Sequence, residues 1–198
     1  MTYPIIKDVP DIRKLEYLVA KDFLVRREEE HLTVKLGNDE LGVPDIFVFR
    51  GENLVYSIEI SSYTFGKIQD LRPNQFVNGA LHINIDESSA IHDPQENPYT
   101  IWQKKIANSQ RYNRYNSERM ILLLHSDVME SSGELTFAIL GPMSISPSMN
   151  HFMHYKSEII PNLQEHISCQ DSIVWDEIFL IDYSENIVPR NCTMHELM

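Results

Sequence analysis

Residues 119–125 read RMILLLH, five apolar side chains in succession with a polar residue at each end. A strand that faces water on one side alternates, so an unbroken apolar run of this length fits a strand buried on both faces. Such a strand needs a covering layer above and below it. The chain has 198 residues, 42% of them hydrophobic and 23% charged. At that size a domain buries roughly 70% of the surface its unfolded form exposes, enough for a core without disulfide or metal staples.

The rest of the pattern says what the layers are. Residues 11–25 place Ile12, Leu15, Leu18, Val19 and Phe23 at three- and four-residue spacing, which predicts a helix with Arg13, Lys14 and Asp22 outside its apolar stripe. The charge run RREEE at 26–30 then reads as a solvated helix end. HLTVKL at 31–36 alternates with period two, and PDIFVF at 44–49 and LVYSIEI at 54–60 are β-branched or aromatic runs separated by the turn residues RGEN. Residues 62–98 are interrupted by Gly66, Pro73, Gly79, Pro94 and Pro98 and read as an insertion. Residues 99–115 lack Pro and Gly and predict a helix whose polar side is basic. After the buried run come strand candidates at 134–140 and 173–183, the second interrupted by Asp176 and Glu177, and a helix at 148–167 broken at Pro161. No linker divides the chain. The expectation is one α/β domain with a mixed central β-sheet flanked by helices, its core at 11–126 and a C-terminal extension at 127–198.

Several classes are excluded or disfavoured. No stretch approaches the roughly 20 apolar residues of a membrane span, and the N-terminal MTYPIIKDVPD lacks the basic and apolar regions of a secretion signal. Cys169 and Cys192 form neither a zinc knuckle nor a redox CxxC pair, so a reducing cytoplasm is the expected location. With 29 acidic against 17 basic residues the net charge is −12, which opposes a sequence-independent nucleic-acid coat and confines any such binding to a local basic patch.

Two acids interrupt the strand runs. Asp45 opens the second strand, and Glu59 lies near the end of the third, opposite in facing to Tyr56, Ile58 and Ile60. If the two strands pair as a hairpin, both acids fall at its open end and form a two-carboxylate cup. Hard oxygen donors so placed suit Mg²⁺ or Mn²⁺, which bind through one or two carboxylates plus phosphate oxygens.

The run Gly42-Val43-Pro44-Asp45, a strand, a turn, then Ile58-Glu59-Ile60-Ser61 resembles the PD-(D/E)XK nuclease superfamily over roughly residues 11–126. The resemblance implies a restriction-endonuclease-like αβββαβ core and Mg²⁺- or Mn²⁺-dependent hydrolysis of DNA phosphodiesters. It implies Asp45 and Glu59 as metal ligands, with Glu16 on the preceding helix as a further acid. Gln103, Lys105, Gln110 or Arg111 would match the polar residue of the following helix that faces the cleft. The family's motif lysine is replaced by Ser61, so a lysine relocated from another element is required. Lys35, Lys67, Lys104 and Lys105 are the candidates, and Lys105 is preferred. Lys104, Arg111 and Arg114, interleaved with Trp102, Tyr112 and Tyr115, would contact nucleic acid. Members of this superfamily that have lost cleavage serve as protein- or nucleic-acid-binding modules, and the fold commonly pairs as a homodimer; both are alternatives here.

Other constellations are weaker. His151 and His154 stand three apart without a third ligand at suitable spacing. His125-Ser126-Asp127 cannot act as a triad, since neighbouring strand residues point to opposite faces and no G-x-S-x-G elbow exists. Phosphate-binding glycine loops are missing as well.

Overall fold

The computed structural model describes residues 11–38, 43–63, 76–77, 80–81, 100–107, 119–126, 130–131, 134–135, 147–183 and 193–198. Within these, three helices surround a six-stranded mixed sheet. Helix α1 (Asp11–Arg26) leads into an antiparallel meander of β1 (Thr33–Leu36), β2 (Ile46–Arg50) and β3 (Asn53–Ser62). A two-residue hairpin, β4 (Phe76–Val77) with β5 (Ala80–Leu81), stands apart from the main sheet. Helix α2 (Thr100–Ala107) precedes β6 (Met120–His125), which lies parallel to β3. A second small hairpin, β7 (Glu130–Ser131) with β8 (Glu134–Leu135), precedes helix α3 (Pro147–Ser168). Strand β9 (Glu177–Asp182) then lies parallel to β6, and β10 (Thr193–Glu196) closes the sheet antiparallel to β9. The strand order is β1-β2-β3-β6-β9-β10.

The two parallel connections step in the same direction across the sheet, and right-handed crossovers of that kind place their helices on one face. The cores agree. On one face α1 packs Leu18, Val19, Ala20, Phe23 and Leu24 against Ile46, Val48, Tyr56, Ile58, Ile121, Leu123 and Phe179. On the other, Trp102 and Ile106 of α2 and Phe152, Ile159 and Leu163 of α3 cover Met120, Leu122, Leu124, Ile178 and Leu180. All six residues of β6 are buried, as an interior strand requires.

Four expectations are revised. Arg13 and Asp22 lie outside the apolar stripe yet are only 8% and 4% exposed, because each carries ionic or hydrogen-bonding partners into the interface. The RREEE run is only partly solvated. Glu28 takes a φ of 58° and caps α1 in the left-handed conformation, with the Glu29 N–H donating to the Leu24 carbonyl at 2.8 Å. Arg27 and Glu29 turn inward to Glu177 and the Tyr56 hydroxyl, at 2.7 and 2.6 Å. The last long strand begins at Glu177, and Asp176 before it accepts the Met120 N–H at 2.7 Å. Helix α3 runs through Pro161 without ending. The proline is exposed, its neighbours Ile159 and Leu163 are buried, and the Asn162 side chain donates to the Glu158 carbonyl at 2.7 Å, supplying a donor in the turn that proline disrupts. Of the strand expected at 134–140 only Glu134–Leu135 is described. The remainder lies outside the described residues, as do Lys67, most of the insertion and positions 108–118. Among the described residues no helix is long and apolar enough to cross a membrane.

Candidate functional site

The hairpin register puts Arg50 opposite Asn53 across a two-residue turn, with Gly51 at a φ of 63° that a side chain would strain. A bulge between Val48 and Phe49 shifts the pairing, after which Val48 faces Tyr56 and Ile46 faces Ile58. One step further, Asp45 and Glu59 come side by side at the open end.

Asp45 is fixed by the chain around it. Gly37, at the end of β1, donates its N–H to the Asp45 carbonyl at 2.7 Å, and a Cβ at Gly37 would overlap the Pro44 carbonyl oxygen. Only glycine permits that approach. The Asp45 carboxylate accepts the Ile60 N–H through Oδ2 at 2.8 Å, and its Oδ1 lies 3.5 Å from Nη1 of Arg13. Arg13 also reaches Glu16 Oε2 at 3.0 Å and donates through Nη2 to the Gly37 and Asp45 carbonyls at 2.7 and 3.2 Å.

Glu59 has a different environment. Along β3, Tyr56, Ile58 and Ile60 point toward α1, while Ser57 and Glu59 point toward the α2 side and are buried there as well. Burying a lone carboxylate is costly, and the compensating charge arrives from the helix above: Lys105 Nζ forms an ion pair with Glu59 Oε1. Helix α2 is seated by Trp102, whose ring meets Tyr63 and Phe152 edge-on at centroid distances of 5.3 and 6.2 Å, and by Ile106. The His166 ring of α3 lies against the Gln103 carbonyl with Nε2 at 3.2 Å. These anchors direct Lys105 over the end of β3.

The electrostatics follow from this crowding. Burial, and after it the Glu59 carboxylate, push Asp45 up to about 6, against the Ile60 N–H, Lys105 and Arg13, which hold it down. Two acids close enough to repel in a site mostly shielded from water are hard oxygen donors of the kind that could hold Mg²⁺ or Mn²⁺. Among the described residues no group of three or more His, Cys, Asp or Glu side chains is placed to hold a metal ion. Glu16, the third expected acid, is tied to Arg13.

Of the other residues singled out in the sequence, Lys104 is exposed on α2 and Lys35 lies over the Phe49 ring at 4.5 Å. Gln110, Arg111 and Arg114 lie outside the described residues, and so do the side chains of His151 and His154. His125 is buried at the end of β6, its Nδ1 2.8 Å from the Ser126 carbonyl oxygen, while Ser126 Oγ accepts the Tyr183 N–H at 2.6 Å. Arg13 is the residue sequence reasoning missed. Its signal was present: Arg13 precedes buried Ala20 and Leu24 by seven and eleven residues, on the same helical side.

A second polar cluster occupies the α1 face of the sheet. Arg27, Arg119, Glu177, Phe179 and Glu196 line an open surface depression of about 370 Å³, with Glu177 paired to both arginines. The chain matches no known protein family, no curated protein and no solved structure.

Proposed function

We propose that this chain is a divalent-metal-dependent phosphodiesterase of the PD-(D/E)XK type that acts on DNA, with its lysine supplied by α2. The observation that carries the reading is the meeting of Asp45, Glu59 and Lys105 at the open end of the β2–β3 hairpin. The order α1, β1 to β3, α2, β6, with β6 parallel to β3, supports a restriction-endonuclease-like core.

In this reading Asp45 and Glu59 hold Mg²⁺ or Mn²⁺. The ion, when bound, polarises the phosphate and lowers the pKa of an attacking water. Lys105 keeps its ammonium beside Glu59 and stabilises negative charge developing on the phosphoryl oxygens, the part played in the family by the lysine that Ser61 replaces. The Ile60 N–H orients the Asp45 carboxylate. Exposed Lys104 would meet the phosphate backbone, and Arg111 and Arg114 would extend that contact. The alternative is a binding module of the same fold without cleavage, favoured by Ser61 at the motif position.

The test is incubation of the purified chain with plasmid and linear DNA in Mg²⁺ or Mn²⁺. Cleavage is expected to cease with EDTA and in Asp45→Ala and Glu59→Ala. A folded wild type that binds DNA but leaves it intact under every metal condition would favour the binding module.

A further inference from the structure

We propose that the Arg13 guanidinium takes the position between Glu16 and Asp45 that a second divalent cation would need, so that this centre binds one metal ion per chain and Glu16 is not a ligand. The inference rests on the metal-centre reading above and concerns its stoichiometry.

Arg13 is 8% exposed and reaches acceptors on three segments of the chain. Nη1 lies 3.0 Å from Glu16 Oε2 and 3.5 Å from Asp45 Oδ1. Nη2 donates to the carbonyls of Gly37 at 2.7 Å and Asp45 at 3.2 Å. The planar guanidinium fork can bridge a carboxylate and two carbonyls together. A metal ion entering between Glu16 and Asp45 would have to expel a buried cation and leave two backbone carbonyls without that donor, a loss that an ion bound through one shared carboxylate does not recover.

Charge counting points the same way. Glu16, Asp45 and Glu59 face Arg13 and Lys105, which leaves one net negative charge when the three acids are ionised. One divalent ion turns this into a single positive charge, the complement of one phosphodiester. A second would leave three positive charges among the same three acids if Arg13 stayed, and two if it were expelled. Arg13 is thus a positioning residue, clamping the β1–β2 connection to α1 and directing Asp45 toward Glu59.

The experiment is calorimetric titration of Mn²⁺ into the full chain, with folding followed by circular dichroism. The wild type is expected to bind one ion. Glu16→Gln should still bind one ion, with Kd weakened by less than about a hundredfold, since Glu16 touches the site only through Arg13 and a lost outer partner costs about 10–100-fold. Arg13→Met should admit a second ion, and Arg13→Met combined with Glu16→Gln should return to one. Two ions per wild-type chain, a loss of about a hundredfold or more in Glu16→Gln, or a folded Arg13→Met that stays at one overturns the inference while the metal reading survives. If Arg13→Met does not fold, the wild-type stoichiometry and Glu16→Gln still decide. No binding to a folded wild type overturns the metal reading and this inference with it.

Discussion

At Asp45 the demands of folding oppose those of the proposed metal binding. Its carboxyl is held at about 6 in the folded chain by burial and by Glu59, against about 3.9 for an exposed aspartate. The folded state therefore binds this proton more tightly than the unfolded state. The stability this confers is complete below about pH 4 and is lost as pH rises through about 6, a loss of roughly 2–3 kcal/mol. Asp45→Asn keeps an acceptor for the Ile60 N–H and removes the buried charge. Urea unfolding of the metal-free variant is expected to show added stability at pH 7.5 and none at pH 4. Because the ion competes with the same proton, Mn²⁺ affinity of the wild type should be flat above pH 7 and weaken about tenfold per unit below pH 6. A pH-independent Kd between 5 and 7 would separate Asp45 from the metal site.

The elements explain what the sequence disclosed and what it withheld. Period-two runs and a turn were enough to put Asp45 and Glu59 at the same end of the hairpin but not opposite each other: the two-residue turn alone would pair Asp45 with Ile58, and the bulge at Val48/Phe49, which no residue pattern announces, shifts it to Glu59. Lys105 could be singled out from its helix, although its pairing with Glu59 depends on how Trp102 and Ile106 seat α2. Strand β10 escaped notice because TMHE has no apolar period; it is a strand because β9 offers it an edge. Asp22 looked solvated because the partner that draws it inward is distant in sequence: the Tyr183 hydroxyl donates to it at 2.8 Å, while Arg26 Nε, one helical turn on, donates at the same distance. Two predictions belong at this scale. Ser61 shares the Glu59 side of β3, so a lysine there would approach the same carboxylate. Lys105→Met should lower DNA cleavage by about 10²–10³, and adding Ser61→Lys should restore at least a tenth of wild-type cleavage, read by gel assay. Recovery of nothing, with Mn²⁺ binding intact, would mean that position 61 cannot serve the site. In α3, Pro161→Ala restores an N–H and relieves a clash in an exposed turn. It should stabilise the chain by about 1–3 kcal/mol in urea denaturation without touching Mn²⁺ affinity.

Over the whole molecule, the sheet separates two kinds of polar chemistry. The α2 face carries the pair Glu59 and Lys105, and further along the same face Lys156 of α3 lies 2.9 Å from buried Asp182. The α1 face carries Arg27, Glu29, Tyr56, Arg119 and Glu177, in which Arg27 lies 5.4 Å from the Phe23 and Phe179 rings and Tyr56 is raised by burial and by its hydrogen bond to Glu29. Glu29 and Glu177 each meet a donor, and the cluster ties the end of α1 to β3, β6 and β9. A role in holding layers together accounts for it without substrate. Glu177→Gln removes the charge that joins Arg27 to Arg119 and leaves two guanidinium groups facing a neutral amide. The expected cost is about 1–3 kcal/mol, or several degrees in Tm for a chain of this size. Because a tightly packed apolar sheet lies between this cluster and the acid pair, the effects should not couple. Mn²⁺ stoichiometry is expected to stay the same and Kd to remain within about threefold. A larger change in Kd would mean that α1, which carries Arg13 at its start and leads into Arg27 at its end, transmits strain from one cluster to the other.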